Sequence, residues 1–284
     1  MTLLAAAATL STALEGQPPP RWERRVESAM TQARASGRLV LVDAYAEWCG
    51  WCERLEREVF PDPAFVAMAQ ELVLLRVDVE DGGEGTELAE TYGAVSLPTL
   101  ILLEPSGAYV GAVSGFAPAR ELVRSVRAEI AAHQRALAAY ERTLAGGDAQ
   151  ALEAVALERW QRRDGARAAA ALEKLLAVAS LPPEREAWSR YLLADAWRMA
   201  GDLDQARAAA AGADRARRRA GASDPELGER LALLPFWIAE SARDCGDAAG
   251  LLARFEKDHP SSPLLGEARR ALARLRADAG PRCT

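Results

Sequence analysis

Metal ligands and disulfide staples are scarce in this chain. It has four cysteines and two histidines among 284 residues. That excludes a disulfide-stapled scaffold, which concentrates cysteine in a short chain. A zinc site would want a second close cysteine pair or nearby histidines, and His133 and His259 offer no ligand spacing. Both histidines read as ordinary surface or helix-end residues, and no metal or other bound cofactor is expected. Basic charge is not in excess either: 35 Lys and Arg against 41 Asp and Glu leave a net charge of -6. This argues against nucleic acid as a partner, because phosphate binding rests on cationic patches. The densest basic run, Arg215 to Arg219, lies in an Ala-rich helical stretch and reads as a solvated helix face. The Gly-rich segment Asp81 to Gly85 lacks the lysine and the glycine pattern of a nucleotide loop.

Beyond the N-terminus no stretch stays apolar for the roughly 18 residues a membrane span needs. Met1 to Ala13 is apolar and rich in small residues, and the polar Gly16 to Pro20 follows. This resembles the end of a secretory signal peptide, although the positively charged start of such a peptide is missing. Residues 1–20 are therefore read as a signal-peptide remnant and linker. The protein is expected to be exported or periplasmic, with the cytoplasm as the alternative.

The length suits two domains. Residues 22 to 36 carry Trp22, Val26, Ala29, Met30 and Ala33 at helical spacing and read as a helix ending at Gly37. Arg38 to Ala46 and Leu72 to Val79 are near-continuous apolar runs, as buried parallel strands tend to be. Short helices are expected over Cys52 to Phe60, Ala64 to Gln70 and Thr86 to Tyr92. Leu97 to Leu103 and Ala108 to Val113 flank a tight turn and read as a strand pair. A long helix follows over residues 118–145.

After about residue 130 the strand-like runs vanish, and alanine, leucine and arginine dominate. Trp160, Asp164-Gly165 and Ala169 recur as Trp197, Gly201-Asp202 and Ala206, with a looser third copy at Cys245-Gly246-Asp247. A recurrence of this period in helices suggests stacked hairpins. Trp188, Phe236 and Trp237 then read as core or groove aromatics, the core being favoured. Cys245 and Cys283 stand alone and receive no function.

The chemistry concentrates in Trp48-Cys49-Gly50-Trp51-Cys52, set between a strand and a helix. Two cysteines at this spacing can close a small, reversible disulfide. A thiol at a helix N-terminus meets free backbone N–H groups and the positive end of the dipole, which favour the thiolate. Asp43, on an apolar strand between Val42 and Ala44, is expected to be buried, with a raised pKa.

With those residues laid out, residues 21–132 resemble a thioredoxin-fold domain. Trp48-Cys49-x-x-Cys52 is similar to the family's active-site motif. Asp43, six residues before Cys49, matches its buried aspartate, Pro98 its cis-proline, and Arg76 a position where a lysine is common. The opening helix and the Trp-Cys-x-Trp-Cys form look most like bacterial exported thioredoxin-like domains, including those akin to the C-terminal domain of DsbD-type carriers. Residues 148–284 resemble tetratricopeptide repeats in outline, with Leu193, Ala194, Trp197, Gly201 and Ala206 fitting one repeat. The expected architecture is an α/β thioredoxin fold over 21–132, a connecting helix over 133–147, and an all-α, tetratricopeptide-like domain over 148–284.

The resemblance implies Cys49 as an exposed attacking thiol and Cys52 as the resolving one. It implies Asp43 as proton acceptor for Cys52, and Pro98 beside the cysteines with the Leu97 backbone offered to an extended substrate. Arg76 lies either against Asp43, holding it charged, or at the surface. Trp48 is expected to pack as the active-site wall. Trp51 is expected to project, toward substrate, toward the helical half or against the domain's own loop. Glu53 follows Cys52 where many relatives carry lysine. An acidic neighbour disfavours a thiolate, so the couple should lie on the reducing side. The implied activity is protein thiol–disulfide exchange, with protein clients, a thiol electron donor or acceptor, and a possible partner on the helical half. The rival is a helical scaffold whose redox domain only senses or tethers.

Overall fold

The computed structural model describes residues 20–221 and 224–279. The leader-like segment, residues 1–19, and Cys283 lie outside the described residues. The chain divides into two compact units between Ala138 and Ala139.

In the first unit five strands form one mixed sheet in the order β1-β3-β2-β4-β5. These are β1 (Trp22–Glu23), β2 (Val40–Tyr45), β3 (Val73–Asp78), β4 (Thr99–Leu103) and β5 (Tyr109–Ser114). β3 runs parallel to β1 and β2, and β4 is antiparallel to both its neighbours. The helices are α1 (Val26–Ser36), α2 (Gly50–Glu58), α3 (Pro63–Ala69), α4 (Glu84–Tyr92) and α5 (Ala119–Gly146). Successive strand residues point to opposite faces, and each face has its own core. Val40, Val42, Ala44, Leu75 and Ile101 pack with Ala29 and Ala33 of α1 and Leu88 of α4. Leu41, Leu74, Leu100 and Leu102 pack with Leu55 of α2, Phe65 of α3 and Leu122 and Val126 of α5. A strand covered on both sides has no polar face, which is why β2 and β3 read as continuous apolar runs. Asp43 and Arg76 interrupt them.

Trp22 departs from the expected opening helix. It begins β1 opposite Leu74, and α1 starts only at Val26. The helical spacing of Trp22 is fortuitous. Its ring is claimed by Phe60 and Phe65, at centroid distances of 4.8 and 6.3 Å.

The second unit is helical: α6 (Ala149–Gln161), α7 (Gly165–Val178), α8 (Pro183–Ala200), α9 (Leu203–Arg219), α10 (Pro225–Ser241), α11 (Cys245–Asp258) and α12 (Leu265–Ala279). Three of the inter-helix turns share one construction. A residue in the left-handed region, Arg163, Gly201 or Arg243, precedes an aspartate. The carboxylates of Asp164, Asp202 and Asp244 then accept the N–H of Arg167, Gln205 and Asp247. Such caps satisfy N–H groups that the helix itself leaves unpaired. The repeat therefore aligns Asp164 with Asp202 and Asp244. The sequence match of Asp164 to Gly201 was one residue out of step, and its third copy three.

Neighbouring hairpins are also tied by side chains. The Trp160 indole donates to Asp195 at 2.9 Å, and that of Trp188 to Asp224 at 2.7 Å. Gly165 allows the start of α7 to press on α8, since a Cβ there would lie 2.4 Å from the Ala196 carbonyl oxygen. Phe236 is fully buried, and Trp188 and Trp237 are half-buried against the cores. Arg215, Arg218 and Arg219 are exposed, and Arg218 and Arg219 pair with Asp214 and Glu186.

Two sequence readings are corrected. His133 is buried, and its Nε2 lies 2.7 Å from Glu104 Oε1, so a carboxylate 29 positions away draws the ring inward. Cys245 is disulfide-bonded, not a lone thiol. Among the described residues no helix is long and apolar enough to cross a membrane.

Candidate active site

β2 ends at Tyr45, and the chain turns through Ala46 to Trp48 into α2. Cys49 is the N-cap of that helix. Its Sγ accepts the Cys52 backbone N–H at 3.1 Å. Cys49 and Cys52 are joined by a disulfide, S–S 2.05 Å, across the first turn. Cys49 and Cys52 form a small buried cluster with Ala46, against which Tyr45, Val79 and Leu97 pack. Cys49 is 5% exposed and Cys52 2%. The expectation of an exposed Cys49 is thus corrected for the oxidised pair. Its sulfur is folded back over the helix start, and Leu97 lies against it. The thiolate released on reduction would sit where the helix N-terminus stabilises negative charge.

Leu97 precedes Pro98, and the peptide between them is cis. Pro98 is buried, and its carbonyl accepts the Gly115 N–H at 2.8 Å. The Thr99 hydroxyl donates to Ser96 O at 2.6 Å, which holds the loop on its other side.

Asp43 and Arg76 are register partners on β2 and β3, with Asp43 two positions before the Tyr45 that packs on the cysteines. Asp43 is 1% exposed, and Arg76 Nε lies 3.1 Å from its Oδ2. The contact is close but poorly aligned: neither Asp43 oxygen nor Arg76 Nε completes a hydrogen bond. The guanidinium points its other end at Glu56 of α2, with Nη1 2.6 Å from Oε1, and lies over the Tyr45 ring at 4.2 Å. Of the two positions open to Arg76, the structure takes the one against Asp43. Two carboxylates share one cation, and the outer one takes the better bond. Burial pushes the Asp43 pKa up to about 7; Arg76 opposes this, and Glu56 adds to it. Desolvation therefore outweighs the ion pair. Glu56 itself is held below the usual carboxylate range by the Arg76 hydrogen bond.

Glu56 is the site residue that sequence reasoning missed. Replacing it with glutamine removes a nearby negative charge and frees Arg76 for Asp43. Asp43 should then titrate below pH 7, as its carboxyl carbon resonance followed against pH by NMR would show. An unchanged or higher midpoint would count against the shared-cation arrangement.

The tryptophans stand outside this buried layer. Trp48 is 69% exposed, not packed as a wall, and its indole donates to Glu80 Oε1 at 2.9 Å. Trp51 is 56% exposed and leans on Phe116 at 5.6 Å, with the Arg54 guanidinium beside both rings. Gly50, between them, opens α2 and is exposed. Glu53 is not an isolated charge: Arg57 reaches it at 3.1 Å. No group of His, Cys, Asp and Glu among the described residues could hold a metal ion.

Residues 21–105 match the family model described as thioredoxin-like. This segment is similar to thioredoxin-like domains. It includes the cysteine pair, Asp43, Arg76 and Pro98. The chain is also 36% identical over 83 residues to the thiol:disulfide interchange protein DsbD of Pseudomonas fluorescens, covering 29% of this chain and 14% of that protein. It is 34% identical over 104 residues to the protein of the same name from Ralstonia nicotianae, covering 36% and 17%. The match thus spans less than a fifth of the length of these relatives. A thioredoxin from Thermus thermophilus, known from a solution structure, is 32% identical; the likeness covers 39% of this chain and 86% of that one, with a TM-score of 0.36. The oxidised C-terminal domain of Neisseria meningitidis DsbD is 19% identical over 38% of this chain and 99% of that one, TM-score 0.35. The matched segment carries the Cys49–Cys52 disulfide, and a helical region follows it.

Proposed function

We propose that the protein is a thiol–disulfide oxidoreductase acting on protein clients, with Cys49 attacking and Cys52 resolving. The observation that carries this reading is the closed Cys49–Cys52 disulfide at the start of α2, which follows the strand that holds the buried Asp43. In the reduced protein the Cys49 thiolate attacks one sulfur of a client disulfide. A Cys49–client bond forms, and the client's other sulfur leaves as thiolate. Cys52, passing its proton to Asp43, attacks the Cys49 sulfur, regenerates the internal disulfide and expels the second client thiolate. The client gains two electrons, and an external dithiol donor must return them to the pair. Arg76 and Glu56 set the charge state of Asp43. Leu97, packed on the cysteines, offers its backbone to an extended client segment.

The reducing direction is part of this proposal, and Glu53 supports it less than its sequence position suggested, because Arg57 offsets its charge. We assign residues 21–132 to redox chemistry, 133–147 to a linker, and the tetratricopeptide-like 148–284 to recruiting a client or partner. We place it in an exported, periplasmic setting, a reading supported by the apolar, small-residue composition of residues 1–13, with the cytoplasm as the alternative.

The test is turnover of insulin disulfides and of neutral hydroxyethyl disulfide with dithiothreitol as donor. Wild-type protein should accelerate both, and Cys49→Ser should reduce the rate to background. A wild-type rate equal to background would reject the enzyme reading in favour of a sensing or tethering role.

A further inference from the structure

Among the described residues five large apolar side chains are exposed: Trp48, Trp51, Val95, Leu157 and Val178. Three of them lie on the two segments that carry or cover the disulfide. Trp48 precedes Cys49 and Trp51 precedes Cys52, and Val95, 96% exposed, lies two residues before Leu97, which packs on the cysteines. Isolated exposed apolar residues need no explanation, but several gathered on one rim mark a contact surface. The charges beside this rim are uneven. On its α2 side the cations are engaged, Arg54 by Glu58 at 2.9 Å and Arg57 by Glu53 at 3.1 Å. On the Trp48 side the balance is acidic. Glu47 precedes Trp48 in the chain, and Glu80 holds its indole. Both are exposed, and neither has an ion-pair partner among the described residues. Nothing nearby in sequence offsets them, since no lysine, arginine or histidine occurs between Arg76 and Arg120.

We infer that the occupant of this rim is a cationic client segment. Its apolar residues lie on Trp48, Trp51 and Val95, and its lysine or arginine side chains pass Glu47 and Glu80. The inference rests on the oxidoreductase reading and names its substrate class. The apolar contacts give adhesion and the uncompensated carboxylates give selection, because like charge across an interface is penalised and opposite charge speeds encounter. Glu80 acts twice: its carboxylate orients the Trp48 ring and lends the rim its charge.

The experiment uses pre-reduced full-length protein and symmetrical peptide disulfides, each peptide carrying one cysteine between leucines. Lysine, glutamine or glutamate occupies the next position on either side. Cys49 attack expels one peptide thiol and Cys52 attack the second, so single-turnover release is followed by chromatography without added reductant. The lysine dimer should react about tenfold faster than the glutamate dimer at low salt, with the gap closing near 0.5 M salt, where charges are screened within about one side-chain length. In a Glu47→Gln, Glu80→Gln double variant the ratio should collapse to about twofold or less; the amide oxygen introduced in place of the Glu80 carboxylate can still accept from the indole. Equal rates for the three dimers, a faster glutamate dimer, or a lysine preference that survives the double substitution would overturn the inference. Failure to reduce even the glutamine dimer would reject the oxidoreductase reading itself, and the inference with it.

Discussion

Cys52→Ser protein, incubated with a disulfide-bonded client, should accumulate a covalent one-to-one complex through Cys49 and lose turnover by about a thousandfold or more. The reason is positional. Cys49 caps α2 and has the amide-rich helix start around it, whereas Cys52 lies inside the first turn and is 2% exposed. Attack on a client needs the outer sulfur. Release needs the inner one, which in the wild type is already within bonding reach of Cys49. Without it the mixed disulfide has no internal exit and waits for an external thiol. Non-reducing gels and intact mass would show the adduct, and dithiothreitol should discharge it. Cys49→Ser should form none. Adducts through Cys52 instead of Cys49 would reverse the assignment, and the absence of any adduct would remove the exchange mechanism.

The second large effect concerns Asp43→Asn. The folded protein holds the Asp43 proton up to about pH 7, while the unfolded chain gives it up near the ordinary carboxylate value of 3.8. Between those limits the folded state binds more protons than the unfolded state. The contribution of Asp43 to the stability of the redox unit therefore falls as pH rises from about 4 to about 7. Asparagine removes this dependence, and Arg76 keeps Glu56 as a partner. The variant should be about as stable as wild type near pH 4 and more stable at pH 8, by a few kcal/mol or several degrees in the unfolding midpoint. The same change should slow mixed-disulfide resolution more than the first attack, because it removes the carboxylate proposed to accept the Cys52 proton. Denaturation curves at pH 4, 6 and 8 and rapid-quench kinetics would check both parts. A stability difference independent of pH would contradict the buried, proton-holding carboxylate.

Signals contained within a few residues were legible in the sequence. The cysteine pair at a strand-to-helix junction, the aspartate six positions earlier and Pro98 at the head of an apolar strand located the site. Asp43 announced its burial because a charge in an otherwise apolar strand has few other places to go. What escaped the sequence depends on pairing at a distance. Glu56 looks like any solvated helix carboxylate until β3 brings Arg76 to it. His133 looks like a helix-surface residue until the β4–β5 turn presents Glu104. Trp22 fits a helical apolar stripe and is instead drawn to Phe60 and Phe65 by the packing of α2 and α3. Trp48 was expected to pack, and a single hydrogen bond to Glu80 holds it outside. The repeat was visible in composition, but its phase depended on which residue adopts the left-handed conformation. Arginine does so at two of the three turns, so glycine was an unreliable landmark.

The indole-to-carboxylate bonds from Trp160 to Asp195 and from Trp188 to Asp224 each join a helix to one about 35 residues further along the chain. Energetically, they are coupling terms between adjacent units of a linear array. In such an array stability is approximately a sum of intrinsic and nearest-neighbour contributions. A lesion at one indole then removes one of these junction bonds, while the core cluster against which Trp160 and Trp188 both pack is shared. Unfolding of the helical half should begin by fraying where a junction is weakest and stop at the next intact one.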